Sequence, residues 1–312
     1  MSLSGEEIEK LIKMVVDLSL PVKLVADLHG ITASRVYQLV KSYRQSGVYP
    51  LPQKRGRPAV VVSSSVRLEI ISSKSHLRLG TKALGKYLRE IKGIPVGNRA
   101  IHRILLEEKM TKPEPQKGIR TRPWVRYERE FSLDAVHMDW HVSKYNGTMV
   151  CVVLDDASRM ILAGGEFDAA TTQNSILMLD FAYQRSLPYG KIREVITDHG
   201  SQFYANRRDC YGEANHAFEE YCKNRGIKHI LCKYNHPQSN GKVERWFQIY
   251  KQFREEFASL EEMLVWYNTI RPHQSLDWDT METPDKAFIR KLKDKQKENY
   301  QKTETENRED SA

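Results

Sequence analysis

The sequence predicts an α/β domain, built on a mixed five-stranded sheet flanked by helices and preceded by two small all-α domains. Between residues 134 and 250, three strand-like segments in a row are followed by helix, strand, helix, strand and helix. Before residue 111, apolar residues recur at helical spacing and glycines separate the helical segments. The chain therefore divides into a helical front half and an α/β back half.

The charge of the chain is divided in the same way. The 312 residues carry a net charge of +9. Residues 1–130 hold 25 basic and 12 acidic side chains, a balance of +13, whereas residues 131–312 hold 24 and 28, a balance of −4. A basic front half joined to a slightly acidic back half is typical of a nucleic-acid-binding region followed by a catalytic domain.

Composition argues against several classes of protein. No apolar stretch approaches the roughly 20 residues that cross a membrane, and the first residues lack the basic and apolar regions of a signal peptide. The four cysteines are scattered without a Cys-x-x-Cys pair, which argues against a zinc knuckle. We expect a soluble cytoplasmic protein with free thiols and no membrane partner.

The first helical domain, residues 1–50, has the spacing of a helix-turn-helix. Ala26 allows two helices to cross closely, Gly30 suits the tight turn, and Val36 faces inward. Thr32 is placed to cap the second helix. A helical hairpin without DNA contacts is the alternative. The outward residues that could reach bases and phosphates are Ser34, Arg35, Tyr37, Gln38 and Lys41.

A basic linker, residues 51–64, follows this domain. Its Gly-Arg-Pro core could lie extended in the minor groove of A·T-rich DNA, with Lys54, Arg55 and Arg57 as contacts. A basic linker that does not bind the minor groove is the alternative, because such linkers are also common.

Residues 65–110 predict a second helix-turn-helix-like domain, with helices at about 66–76, 80–92 and 97–109. Its last helix would carry Asn98, Arg99 and Arg103 on the outer face. A second basic linker, residues 111–130, leads to the α/β domain.

Residues 131–290 are predicted to form the α/β domain. We expect strands at 134–141, 149–154, 160–166, 193–198 and 228–232. We expect helices at 172–186, at about 215–225 and from about 240 onward. The apolar surface of the first of these helices is predicted from Ile176, Leu177, Leu179, Phe181 and Tyr183. The charged residues 291–312 predict a frayed helix that becomes disordered.

Three acidic residues fall where such a sheet would bring them together. Asp139 lies midway along the first strand, Asp198 ends the fourth, and Glu244 shares a helix face with Gln248 and Lys251. Three carboxylates in one cleft repel one another unless cations neutralise them, and Mg²⁺ or Mn²⁺ suits oxygen ligands. Two ions about 4 Å apart can serve a displacement at phosphorus. Surface carboxylates without a metal are the alternative.

Other polar residues near these acids have simpler interpretations. Asp155 and Asp156 are predicted to hold a turn and a strand end rather than a metal. His137 and His199 flank the acids, and packing or hydrogen bonding is favoured over a role with water or phosphate. His273, which follows a proline, is predicted to fix the chain.

The segment 131–290 resembles the catalytic core of retroviral-integrase-type transposases from prokaryotic insertion sequences. Its element order is that of a ribonuclease-H-like fold. The stretches that carry the resemblance are 137–141 (HMDWH), 154–159 (LDDASR), 197–203 (TDHGSQF), 236–245 (HPQSNGKVER), 267–276 (YNTIRPHQSL) and 283–284 (TP).

The resemblance implies a DDE recombinase in which Asp139, Asp198 and Glu244 bind two metal ions, Mg²⁺ or Mn²⁺. Water would free a 3′-hydroxyl at a transposon end, and that hydroxyl would then attack target DNA. The resemblance also implies double-stranded DNA as partner, a nucleoid-associated prokaryotic protein, and at least a dimer on the DNA. Contacts with DNA near the cleft are expected for Asn240, Lys242, Gln248 and Lys251.

The spacing of the acids departs from the family. Residues 199–243 place 45 positions between the second and third acids, and the extra length falls in the polar stretch 205–215. We interpret that stretch as a surface insertion. A domesticated DNA-binding regulator that keeps the fold is one alternative, and terminal inverted repeats beside the gene would argue against it. A ribonuclease H is another, but it leaves both helical domains unexplained.

Overall fold

The computed structural model describes residues 3–52, 61–113, 128–205, 216–232, 241–294 and 296–297. The predicted DNA contacts Lys54, Arg55, Arg57 and Asn240 lie outside the described residues, as do most of the predicted linker 111–130, the stretch 206–215 and most of the charged tail. The chain forms two units, Met1–Val61 and Val62–Ala312, and each is described by itself.

The first unit is built from three helices. They are α1 (Gly5–Val16), α2 (Val22–Leu28) and α3 (Ala33–Ser46). Ala26 and Val36 are buried, and Gly30 takes a φ of +60° in the turn between α2 and α3, as the spacing predicts. The side chain of Thr32 accepts a hydrogen bond from the backbone N–H of Arg35 at 3.3 Å, so the predicted cap is present.

The second unit begins with three further helices. They are α4 (Ser64–Leu77), α5 (Thr81–Glu90) and α6 (Asn98–Glu107), close to the predicted boundaries. Their shared hydrophobic cluster also includes Ile270, Trp278 and Met281 from far along the chain. These three helices therefore pack against the C-terminal part of the same unit, which the sequence alone does not predict.

Polar contacts reinforce this packing. The indole Nε1 of Trp266 donates to the carbonyl of His76 at 2.9 Å, and the Arg271 guanidinium donates to the carbonyl of Arg78 at 3.1 Å. The Arg78 guanidinium lies over the rings of Phe257 and Trp266, at 4.3 and 5.2 Å from their centroids. The end of α4 is thus fixed to the segment around Trp266.

A mixed sheet forms the centre of the second unit. Its elements, in chain order, are β1 (Val136–Val142), β2 (Met149–Asp155), β3 (Ile161–Phe167), α7 (Thr172–Ser186), β4 (Glu194–Thr197), α8 (Ala217–Arg225), β5 (Lys228–Leu231) and α9 (Gly241–Phe253). The strand order is β3-β2-β1-β4-β5. The first three strands pair antiparallel, and β4 pairs parallel with both β1 and β5. The predicted five-stranded mixed sheet flanked by helices is confirmed.

The chain after α9 contains a 3₁₀ turn (Arg254–Glu256), α10 (Leu260–Val265), a π-helical turn (Trp266–Ile270) and α11 (Pro284–Arg290). Leu260, Met263 and Trp266 join the hydrophobic cluster of α9, whereas Phe288 of α11 joins the cluster on the other side of the sheet. None of the helices in the described ranges is long and apolar enough to cross a membrane.

Helix α9 ends at Phe253, and Arg254, just after it, pairs with Glu166 at 2.8 Å. The predicted apolar surface of α7 is buried only in part. Leu179 and Tyr183 are buried, whereas Leu177 and Phe181 are 41% and 53% exposed. Apolar residues on both sides of α7 concealed which part of its surface is buried.

His273 fixes the chain after the π-helical turn, in agreement with its predicted role. Its backbone N–H donates to the carbonyl of Glu282 at 3.0 Å, and its Nδ1 lies 2.9 Å from the Ser275 hydroxyl. Burial lowers the pKa of His273 to about 3, and the charges of Arg159 and Arg271 act in the same direction. The imidazole is therefore neutral in the folded protein.

This neutral histidine predicts a loss of stability in acid. The folded pKa lies below the unfolded value of about 6.5, so below that pH the unfolded chain binds the proton first. The contribution is complete above about pH 6.5 and falls by up to roughly 1.4 kcal/mol per pH unit as the pH drops toward the folded pKa. Urea unfolding of His273→Asn should show a shallower pH dependence between about pH 6.5 and 5. The matching control is His76→Asn, at an exposed side chain. Equal pH profiles for wild type and His273→Asn would contradict the prediction.

Candidate active site

The register of the sheet places Asp139 beside Asp198. Strands β1 and β4 are parallel neighbours, with His137 opposite Ile196. Two residues further along each strand, Asp139 and Asp198 stand at the same level, and Asp198 follows directly after the end of β4. Because side chains two positions apart share a face, the two acids lie on one side of the sheet.

The same side of the sheet carries α9 and Glu244. Asp139 pairs with Val152 of β2, and Val152 belongs to a hydrophobic cluster that includes Val243 and Trp246 of α9. Glu244 follows Val243 and its side chain is exposed, on the first turn of the helix. The fold therefore brings the three predicted acids to one side of one edge of the sheet.

The thiol of Cys232, just after β5, lies within electrostatic reach of all three acids. Burial raises its pKa to about 11, and the carboxylates of Asp198, Asp139 and Glu244 add to this rise, in that order. Each of the three acids therefore contributes to the negative charge that acts on this thiol.

Backbone hydrogen bonds orient the two strand acids. Asp139 Oδ1 accepts from the N–H of Trp140 at 2.8 Å, and Asp198 Oδ1 accepts from the N–H of Gly200 at 2.9 Å. Each carboxylate thus has one oxygen held by the backbone. The position of Glu244 in the first turn of α9 suits a negative charge, because the helix dipole is positive there.

Asp155 has the structural role predicted for it. Its fully buried carboxylate accepts from the N–H of Leu133 at 2.8 Å and from the N–H and hydroxyl of Ser158 at 2.8 and 2.6 Å. Burial raises its pKa. These contacts close the turn that follows β2.

Asp156 has more partners than a turn requires. Its buried carboxylate contacts the His137 imidazole at 2.6 Å, accepts from the N–H of Arg129 at 2.6 Å and pairs with the Lys242 ammonium. Burial opposes ionisation of Asp156, but the hydrogen bond from His137 and the charge of Lys242 hold its pKa below the ordinary value. This link is not predicted from the sequence, although the residue pairs His137/Asp139 and Lys242/Glu244, each two positions apart, are a local sign of it.

Lys242 is turned toward the protein. Its side chain is 15% exposed and its ammonium contacts Asp156. Burial lowers its pKa to about 8, and nearby Arg159 lowers it further, while Asp156 acts in the opposite direction. The DNA contact expected of Lys242 stays a prediction. In this structure the ammonium of Lys242 forms an ion pair with Asp156.

The other residues expected to contact DNA lie at three places. Those of α3 are all exposed, and Arg35 donates to Gln38 at 3.2 Å. At the start of α6, Asn98 and Arg99 are exposed, whereas Arg103 is half-buried and lies 3.9 Å from Glu107. On α9, Gln248 and Lys251 are exposed beside Glu244.

Two families match the α/β part of the chain, and both are described as integrase core domains. One matches residues 132–237 and the other residues 225–280, so together they span the sheet, α9 and α10. The chain contains an integrase core domain.

Two proteins of similar sequence align with part of the chain. An uncharacterized protein of Archaeoglobus fulgidus is 30% identical over 93 residues, which are 30% of this chain and 68% of that protein. A Spiroplasma virus protein named "Putative integrase ORF3" is 30% identical over 146 residues, covering 41% of this chain and 39% of the viral protein. The chain thus spans well under half the length of the viral relative.

Solved structures of low sequence identity also align with the chain. The catalytic core of BIV integrase is 20% identical, with a TM-score of 0.37 over 51% of this chain and 95% of that one. The core of HTLV-2 integrase in complex with magnesium is 18% identical, with a TM-score of 0.37 over 51% and 97%. A simian T-cell lymphotropic virus intasome, in complex with a PP2A regulatory subunit, is 17% identical, with a TM-score of 0.41 over 70% and 74%.

The integrase core offers a donor set that suits a hard divalent cation. All three converging side chains are carboxylates, which are preferred ligands of Mg²⁺ and Mn²⁺. In the ranges that the structure describes, neither Asp198 nor Glu244 forms an ion pair with a lysine or arginine. Within the same ranges, no three His, Cys, Asp or Glu side chains form a group that could hold a metal ion. The three acids suit the ion by their donor chemistry and lie on one side of the sheet.

Proposed function

We propose that this protein is a transposase of a prokaryotic insertion sequence. It binds the terminal inverted repeats, cleaves to free 3′-hydroxyl ends and joins these ends to target DNA. The observation that carries the proposal is the placement of Asp139, Asp198 and Glu244 on one side of the sheet in an integrase core domain.

Two displacements at phosphorus make up the reaction. In the first, a water oxygen attacks the phosphodiester at the transposon end, the bond to the 3′ oxygen breaks, and that oxygen leaves with a proton as a 3′-hydroxyl. In the second, this hydroxyl attacks a target phosphodiester and displaces the target's own 3′ oxygen. The chemistry supplied by two bound divalent ions is activation of the attacking oxygen and stabilisation of the leaving one.

The residues of this chain bind and orient the reactants. The three carboxylates hold the ions, and the backbone bonds from Trp140 and Gly200 fix the directions of Asp139 and Asp198. Gln248 and Lys251, exposed one and two turns after Glu244, are placed to contact the DNA strand that enters the site. The exposed polar face of α3 and the start of α6 read the repeat sequence.

The proposal is tested with duplexes copied from the DNA that borders the gene on each side. Full-length protein with Mg²⁺ or Mn²⁺ is expected to nick these duplexes, leave 3′-hydroxyl ends and join them to a second DNA, and EDTA is expected to stop both steps. Sequencing gels identify the cut and the joined products. Specific binding to the duplexes without cleavage in either metal would instead indicate a domesticated DNA-binding protein and would overturn the proposal.

A further inference from the structure

One buried carboxylate connects the two elements that carry the acids of the proposed site. Asp156, with no exposed surface, lies at the turn after β2. It contacts the His137 imidazole of β1 at 2.6 Å and forms an ion pair with Lys242 in the first turn of α9. A third contact, from the N–H of Arg129 at 2.6 Å, completes its surroundings. Asp156 therefore joins β1 to α9 directly.

Both partners of Asp156 stand two residues before an acid of the site. His137 precedes Asp139 on the same face of β1, and Lys242 precedes Glu244 on α9. On a helix with 3.6 residues per turn, positions two apart point roughly 200° apart. Holding Lys242 inward at Asp156 therefore sets the rotation of α9 about its axis and directs Glu244 outward.

The apolar face of α9 and this ion pair act together on the rotation of the helix. The helix packs on the sheet through Val243, Phe247, Tyr250 and Phe253. A second ion pair lies just after the far end of the helix, where Arg254 contacts the partly buried Glu166 at 2.8 Å. Each end of α9 is thus held by an ion pair, and only the first end carries Glu244.

We propose that Asp156 and Lys242 are positioning residues, which orient Glu244 on α9 relative to Asp139 on β1, so that both carboxylates would be available to hold a divalent ion. This inference rests on the proposed function for its catalytic meaning. It assigns Lys242 a partner within the protein, instead of the DNA contact expected from the family resemblance.

The test compares Lys242→Met with Arg254→Met. Each substitution removes the cation of one ion pair at an end of α9, so both are expected to lower the melting temperature. Only Lys242→Met is expected to weaken Mn²⁺ binding, measured by isothermal titration without DNA, by about 10- to 100-fold, as loss of an outer partner of a metal ligand commonly does. Equal Mn²⁺ affinities for the two variants would overturn the inference.

Kinetics on the same border duplexes separate positioning from DNA contact. Positioning predicts that Lys242→Met lowers the single-turnover cleavage rate at saturating DNA by about tenfold or more, with little change in the half-saturating DNA concentration. A rise in that concentration with unchanged rate and unchanged Mn²⁺ affinity would assign Lys242 to DNA and overturn the inference. Wild type that binds Mn²⁺ but cleaves nothing would count against the proposed function alone.

Asp156→Asn and the double variant Asp156→Asn/Lys242→Met provide a second route if Lys242→Met folds poorly. Removing both charges leaves no unpaired buried ion, so the double variant is expected to regain stability relative to Lys242→Met. Its Mn²⁺ affinity is expected to stay low, because α9 has still lost the anchor beside Glu244. Recovery of the wild-type Mn²⁺ affinity along with stability would overturn the inference.

Discussion

Replacement of Asp139 by asparagine is expected to lower metal-dependent DNA cleavage by about 10³-fold or more, since a metal ion contributes several kcal/mol to a displacement at phosphorus. Asparagine has nearly the same shape, and its side-chain oxygen can still accept the hydrogen bond from Trp140 that the aspartate accepts at 2.8 Å. The fold should therefore be kept, and the substitution removes only the negative charge at the centre of β1.

The matched control for this variant is Asp168→Asn. Asp168 is exposed just after β3, so its substitution removes the same charge from the same domain outside the site. Single-turnover cleavage of the border duplexes and circular dichroism are measured for both variants. Cleavage by Asp139→Asn at the rate of Asp168→Asn, with both variants folded, would remove Asp139 from the catalytic machinery.

Replacement of Trp266 by alanine is expected to reduce the free energy of unfolding by about 3–5 kcal/mol, the usual cost of truncating a buried tryptophan. The side chain is only 3% exposed, and its ring lies 5.6 Å from the Phe253 ring and 5.2 Å from the Phe257 ring. It also donates to the His76 carbonyl at the end of α4. The variant should therefore loosen the packing between α4 and the segment around Trp266.

Hydrogen exchange of backbone amides shows which part of the protein is destabilised by Trp266→Ala. Amides of α4 to α6 are expected to lose protection in Trp266→Ala before those of the sheet. Phe288→Ala is the control, because Phe288 is equally buried but belongs to the cluster on the other side of the sheet. Trp266→Phe, which keeps a ring but leaves the His76 carbonyl without its donor, should cost about 1–3 kcal/mol. Similar exchange patterns for Trp266→Ala and Phe288→Ala would show that Trp266 has no special role in docking the helices.

Strong local patterns made the sheet and its acids predictable from the sequence. The continuous apolar run in β2 and the period of two in β1 define two strands without reference to the rest of the chain. Once β1 and β4 are neighbours, the positions of Asp139 and Asp198 in their strands suffice to bring them together. Glu244 follows from the apolar stripe of α9, because it lies outside the apolar positions 243, 247, 250 and 253 that define the stripe.

Contacts between distant segments could not be predicted, because no local sequence pattern indicates them. Trp266 and His76 are 190 residues apart, so nothing near either residue indicates that they meet. Asp156 was assigned to a turn because turns commonly contain aspartate. Its partners are Lys242, 86 positions later, and His137, on a different strand. The burial of such a carboxylate becomes evident only when three elements are assembled around it.

Binding of Mn²⁺ to the full-length protein, measured by isothermal titration, tests most directly whether Asp139, Asp198 and Glu244 form one metal site. If they do, Asp139→Asn, Asp198→Asn and Glu244→Gln each raise the Mn²⁺ dissociation constant by about tenfold or more, whereas Asp168→Asn leaves it unchanged. A dissociation constant that is the same for wild type and all three variants would show that the carboxylates do not share an ion.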